Sequence, residues 1–166
     1  MKSFLRLIVL LFKMGPTRLL RAVESSNKDP LTGIKNVRGF FIFAEKEIER
    51  SKRTKRPFSV VFFDVDNLKK INDELGHLAG DEHLKLIASF IEKNTRDIDV
   101  FCRWGGDEFV LLLPETNRKE AEEVGKKIKE VLPVSFGVST FSLDKSSIQE
   151  LIEEADREMY KMKPGK

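Results

Sequence analysis

From Asn36 onward, the apolar residues Val37, Phe40, Phe41, Ala44 and Ile48 recur three and four apart, which predicts a helix to about Ser51. The rhythm then breaks. Phe58 to Phe63 is nearly all apolar with no alternation, as expected of a central strand buried on both faces, and it ends abruptly in Asp64 and Asp66. From Asn67 to about Asn94 helical spacing returns as a short and a longer helix, parted by a turn that glycine breaks. Two strand-like runs, Asp99 to Trp104 and Glu108 to Pro114, flank Gly105-Gly106 and predict a tight β-hairpin. Next come a charged helix with Ala121, Val124, Ile128 and Val131 inward, a strand over Pro133 to Thr140, and a last helix. That helix carries Ile148, Leu151, Ile152, Ala155 and Met159 on one stripe. The order α, β, α-α, β-hairpin, α, β, α belongs to an α/β sheet covered by helices.

The first residues fit none of this. Phe4 to Phe12 is strongly apolar but short, with Arg6 inside it, whereas a membrane span needs about 20 apolar residues. No small-residue cleavage site of a signal peptide follows. Positions 5, 8, 12, 15, 19 and 22 fall at heptad spacing and predict a helical stalk pairing with a second copy, although Gly15-Pro16 interrupts it. An interfacial helix, giving membrane association, is the competing expectation. The polar stretch Glu24 to Gly33 reads as linker and turn, dividing the chain into a leader over 1–28 and a domain over 29–166.

Composition adds little. The 166 residues are 40% hydrophobic and 34% charged, ordinary for a globular domain, and the net charge of +3 gives no argument for nucleic acid. A single cysteine, Cys102, excludes an intrachain disulfide and any Cys-based zinc motif and suits a reducing, cytoplasmic setting. It reads as a small buried hydrophobe. The basic Lys52 to Pro57 stretch reads as a solvated connection.

The chemistry lies in the acids. Asp64 and Asp66 end a buried strand, while Asp107 and Glu108 stand at a hairpin tip. If the two elements are neighbours, the carboxylates converge and repel unless a hard cation neutralises them. Oxygen ligands without a nearby His or Cys favour Mg²⁺ or Mn²⁺, which also ligates substrate phosphates. The helix beginning after Asp66 offers free N–H groups to a phosphate, and Lys69 adds charge. Together these parts make a phosphoryl- or nucleotidyl-transfer site. Asp66 alone reads as a helix cap. His77 and His83 read as structural, His83 on a helix surface.

The motifs resemble the diguanylate cyclase catalytic domain, the GGDEF family. "GGDEF" itself stands at Gly105 to Phe109, "DPLTGIKN" at Asp29 to Asn36, and "FFDVDNLKKINDELGHLAGD" at Phe62 to Asp81. "SFGVS" and "ADREMYKMK" resemble the family's closing strand and helix. The resemblance implies a nucleotidyl-cyclase or palm-like fold: a mixed central sheet of about five strands flanked by helices, here behind an N-terminal helical leader. It implies condensation of two GTP into cyclic di-GMP by a homodimer, with release of two pyrophosphates. Asp64, the Val65 carbonyl and Asp107 would bind metal, with Glu108 as base or further ligand. Asn72 and Asp81 match guanine-reading positions, and their donors and acceptors fit that edge. The N–H groups of Asn67 and Leu68, with Lys69, match a phosphate cradle, and Lys163 a lysine reaching the triphosphate. Arg96 and Asp99 match an R-x-x-D site through which the product inhibits. The chain departs from the pattern at its "KPGK" end, where the family usually reads K-x-x-G-R-N. The alternative is a catalytically weak relative that binds GTP or senses cyclic di-GMP.

Overall fold

The computed structural model describes residues 26–142 and 147–163. The stalk and interfacial-helix expectations for Phe4 to Val23 lie outside those residues, as do the last three of the KPGK end.

Five strands form one mixed sheet in the order β1-β3-β4-β2-β5: β1 (Lys35–Asn36), β2 (Phe58–Val65), β3 (Val100–Arg103), β4 (Glu108–Pro114) and β5 (Val134–Thr140). β1 runs parallel to β3, and the other pairs are antiparallel. Among the described residues five helices cover it: α1 (Val37–Thr54), α2 (Leu68–Leu75), α3 (His77–Lys93), α4 (Arg118–Val131) and α5 (Ile148–Met162). The mixed five-strand sheet flanked by helices is therefore as expected.

β2 shows why the central strand lacks alternation. Val61, Phe63 and Val65 enter the core beneath α3 and α4, while Phe58, Val60 and Phe62 enter the one beneath α1 and α5. Both faces are dry, so every position but Ser59, whose hydroxyl bonds the Thr116 carbonyl, is apolar until the strand reaches its end. The two layers hold this strand fixed from both sides, and with it the position of Asp64.

Local signals set the helix ends. Asn36 accepts from the Gly39 N–H at the start of α1, and Asn117 and Glu120 form a reciprocal capping box on α4. α1 runs to Thr54, beyond the expected Ser51, because its last turn is exposed and carries no apolar stripe to read. It stops where Lys55 turns left-handed and its N–H returns to the Ser51 carbonyl. β1 was not expected, since two residues are too short for any period. Among the described residues no helix is long and apolar enough to cross a membrane.

Candidate active site

β2 and β4 are antiparallel neighbours in a register that sets Asp64 opposite Glu108. The Val65 N–H donates to the Asp107 carbonyl at 3.0 Å, fastening the hairpin tip to the strand end. Amide and carbonyl of one strand residue point the same way, so the Val65 carbonyl also faces the tip. Asp64, Val65, Asp107 and Glu108 are thus gathered at one end of the sheet. Asp64 is only 5% exposed. Burial pushes its carboxyl above the usual range, the Lys163 hydrogen bond opposes this, and Asp107 and Asp66 add repulsion. Burial likewise raises Glu108, followed by the charges of Asp107, Asp64 and Asp156, the last from α5.

Lys163 closes the group. Its Nζ lies 2.9 Å from Asp64 Oδ2, and that bond raises the ammonium's own pKa. Sequence reasoning expected Lys163 at a triphosphate; here it supplies positive charge to the acids themselves. Among the described residues no three His, Cys, Asp or Glu side chains already surround a single point as ligands. The donor set nevertheless fits a hard cation, being all oxygen and short of positive charge.

The hairpin glycines are explained differently from the expected tight turn. Neither Gly105 nor Gly106 has a left-handed φ. A Cβ on Gly105 would instead collide with the Glu108 carboxylate, so the missing side chain makes room for that acid. Arg103 then pins the tip: Nη2 donates to the Gly106 carbonyl at 2.7 Å and Nη1 pairs with Asp29 at 3.3 Å. Burial works to raise Asp29, but bonds from the Thr32 side chain and N–H, then Arg103, hold it below the ordinary carboxylate range.

Three expectations need correction. Val131, expected inward on α4, is 62% exposed at that helix's last residue. Asp66 does not cap α2. Asn67 holds the cap position in a left-handed conformation without a side-chain bond, and Asp66 Oδ1 accepts from Ser135 Oγ at 2.8 Å. Strand pairing explains it: the Asp66 N–H also donates to the Pro133 carbonyl, so Asp66 still runs beside β5 and cannot turn back over α2. His83 is half-buried rather than fully on the surface, with its Nε2 buried and without a partner among the described residues. Helical periodicity cannot tell a half-buried flank from an exposed one.

Asn67 and Leu68 open α2 beside the acids, with Lys69 exposed on its first turn. The first N–H groups of any helix lack intrahelical acceptors, which suits the expected phosphate cradle. Asn72 lies against α3, where a Cβ on Gly80 would overlap its Oδ1. Asp81 is the next residue along α3 from that contact. Gly80, Ser135 and Asp156 escaped sequence reasoning. Only the G-D spacing in "HLAGD" hinted at the first.

Arg96 and Asp99 lie at the opposite end of the sheet. Asp99 is nearly buried and takes both the Arg96 N–H and its guanidinium, with Nη2 to Oδ1 at 2.7 Å. The same Nη2 reaches the Pro114 carbonyl and Thr116 Oγ1. Arg96, Asp99 and Thr116 line a cavity of about 370 Å³ with Asn94, Glu120 and Lys127. The structure therefore does not bring Arg96 and Asp99 to the acids.

Residues 26–134 match the family model described as diguanylate cyclase, GGDEF domain. Diguanylate cyclase DgcP of Pseudomonas aeruginosa is 32% identical over 149 residues, covering 81% of this chain and 22% of that protein. Diguanylate cyclase A of Treponema denticola is 33% identical over 160 residues, 85% of this chain and 43% of that protein. A relative of different name, the cyclic di-GMP phosphodiesterase NbdA of P. aeruginosa, is 33% identical over 84% of this chain and 20% of its own. The chain thus spans less than half the length of these relatives. Among solved structures, diguanylate cyclase SiaD of P. aeruginosa, in complex with its activator SiaC, superposes with a TM-score of 0.79 at 30% identity. That match covers 97% of this chain and 67% of SiaD.

Proposed function

Because the chain belongs to the GGDEF diguanylate cyclase domain family, we propose that it condenses two GTP molecules into cyclic di-GMP. The observation that carries this is the gathering of Asp64, Asp107 and Glu108 at one strand end, with Lys163 drawn onto them. Such an undercompensated group favours a divalent cation and the phosphates it brings.

GGDEF diguanylate cyclases are metal-dependent in general. In this chain Asp64, the Val65 carbonyl and Asp107 would hold Mg²⁺ or Mn²⁺, with Glu108 beside them. When bound, the ion neutralises phosphate charge and polarises the reacting phosphorus. Asn72 and Asp81 bind the guanine edge. The N–H groups of Asn67 and Leu68, with Lys69, hold the phosphates, and Lys163 exchanges Asp64 for the triphosphate. Two protomers face each other. The 3′-oxygen of one GTP forms a bond to the α-phosphorus of the other, the bond to the β-phosphate oxygen breaks, and pyrophosphate leaves. Glu108 takes the hydroxyl proton as the general base. The second, reciprocal transfer closes the ring. Positioning and charge neutralisation do most of the work, so a lone protomer is inactive.

Arg96 and Asp99 form a separate product site. Asp99 orients the guanidinium and leaves Nη1 without a partner among the described residues, free to meet a phosphate or a guanine acceptor of cyclic di-GMP. That pair also favours the second reading, a weak enzyme that serves as a cyclic di-GMP or GTP sensor. Incubation with GTP and Mg²⁺, followed by chromatography, separates the two. Cyclic di-GMP and pyrophosphate in 1:2 ratio support the enzyme, and bound but unconverted GTP overturns it.

A further inference from the structure

α1, α4 and α5 each begin with a side chain that accepts an N–H of the first turn: Asn36 from Gly39, Asn117 from Glu120 and Ser147 from Glu150. α2 begins with Asn67, an equally good capping residue, and makes no such bond. The cause is its backbone. The three capping residues are extended, whereas Asn67 has φ 60° and ψ 20°. The N–H groups of Asn67, Leu68, Lys69 and Lys70 are left without an acceptor among the described residues. A left-handed residue next to a right-handed one also makes successive N–H groups converge, an arrangement that receives anions.

The residue before it holds Asn67 in this conformation. Asp66 is tied to β5 twice: its N–H donates to the Pro133 carbonyl and its Oδ1 accepts from Ser135 Oγ, both at 2.8 Å. Pairing with β5 therefore lasts through Asp66, and the chain must pass from strand to helix within one residue. Asparagine tolerates the left-handed region that such a turn demands.

Ser135 is fully buried and lies opposite Asp64 in the register, so Ser135, Asp64 and Asp66 share one face of the sheet. The two acids have separate partners there: Lys163 takes Asp64 and Ser135 takes Asp66. Asp66 also stands two residues from Asp64 and two from Leu68. Its tie thus fixes how the acids proposed to hold metal stand relative to the helix end proposed to hold phosphate.

We propose that Ser135 is a positioning residue for the triphosphate. By holding the Asp66 carboxylate to β5 it keeps Asn67 left-handed and the start of α2 uncapped, so the free N–H groups meet phosphate instead of a side chain of this protein. The role rests on the nucleotide reading given above. Ser135 touches no substrate and acts through Asp66 and Asn67.

Calorimetry with GTP and Mg²⁺, with guanosine as the phosphate-free control, tests this role. Ser135→Ala should weaken GTP binding by about tenfold, the scale of one hydrogen bond to a charged group, and leave guanosine affinity at the wild-type value. In turnover the loss should appear in KM and spare kcat, as expected of contacts made equally in the ground and transition states. Asp66→Asn keeps an acceptor for the Ser135 hydroxyl and should preserve the ratio of GTP to guanosine affinity, whereas Asp66→Ala should match Ser135→Ala. Combining the two alanines should cost no more than either alone. Hydrogen exchange of the nucleotide-free protein gives a readout independent of GTP. The Asp66 and Ile71 amides, bonded to the Pro133 and Asn67 carbonyls, should exchange faster in Ser135→Ala, and the Gly39 amide at the start of α1 should not.

Equal GTP binding by wild type and Ser135→Ala overturns the proposal, as does a fall in guanosine affinity alongside that of GTP. Asp66→Asn as weak as Asp66→Ala also overturns it, by placing the effect in charge instead of the bond, and so does unchanged exchange at Asp66 and Ile71. A wild type that binds guanosine but not GTP, or neither, overturns the nucleotide reading itself, and this role with it.

Discussion

The two ends of the central sheet treat charge in opposite ways. Where β2 ends and β4 begins, Asp64 and Glu108 are held above their ordinary pKa by burial and mutual repulsion, with Lys163 opposing. Where β4 ends, the charges are answered. Arg96 is raised chiefly by its bond to Asp99, and Glu115, lowered chiefly by Arg56, receives Arg50 as well. The first end is unsatisfied until something positive arrives. The second is complete within the chain, so a ligand there must use what Arg96 has left over. Side chains of one chemical class thus become a reactive centre or a structural clasp according to whether their partners are already in place.

Breaking the acid end should have the largest effect. Asp107→Asn removes a charge proposed to hold the metal, and turnover should fall by about 10²–10³, the scale of losing one electrostatic stabiliser. Circular dichroism should be unchanged, because the residue lies in a turn. Substantial Mg²⁺-dependent product formation by this variant would refute the contrast.

Guanine reading comes next. With Asp81 reading guanine as proposed, Asp81→Ala leaves purine donors unpaired at about 1–3 kcal/mol, and GTP affinity should drop roughly 5- to 100-fold with weaker discrimination against ATP. Calorimetry with both nucleotides checks this, and an unchanged preference counts against the assignment.

At the clasped end, Arg96→Ala should relieve product inhibition while leaving initial velocity near wild type, since no catalytic group moves. Progress curves at saturating GTP, with and without added cyclic di-GMP, decide it. The variant also strands the Asp99 carboxylate, whose side chain is 3% exposed, and should lose about 1–3 kcal/mol of stability. Arg96→Lys keeps a charge on Asp99 but not the fork, which separates the two effects.

The smallest effect sharpens the comparison most. Glu108 has a raised folded pKa, so the folded state binds more protons in the window between the unfolded and folded values. Its ionisation costs stability as pH rises through that window, and below it the cost disappears. Glu108→Gln should therefore raise the melting temperature at pH 7.5 in chelator by about 2–4 °C, what ~1 kcal/mol gives a chain of this size. The gain should vanish in acid. A melting temperature lowered at pH 7.5 would show that the charge is already compensated.

The sequence by itself determined the helices, the buried central strand, the hairpin and the motif residues, because each is written in spacing along a few turns or one strand. Val37 to Ile48 and Ile148 to Met159 declare their buried faces at helical period, and Asp64 announces itself by ending an apolar run. Tertiary structure alone decided which partners those residues meet. Gly105 yields room to Glu108, Gly80 to Asn72, Ser135 takes Asp66 from the helix it was expected to cap, and Lys163 returns from the far end of the chain to Asp64. Periodicity reports a residue's face but carries no record of what packs across from it. Charge compensation and close approach depend on distances between segments remote in sequence, and folding sets those distances.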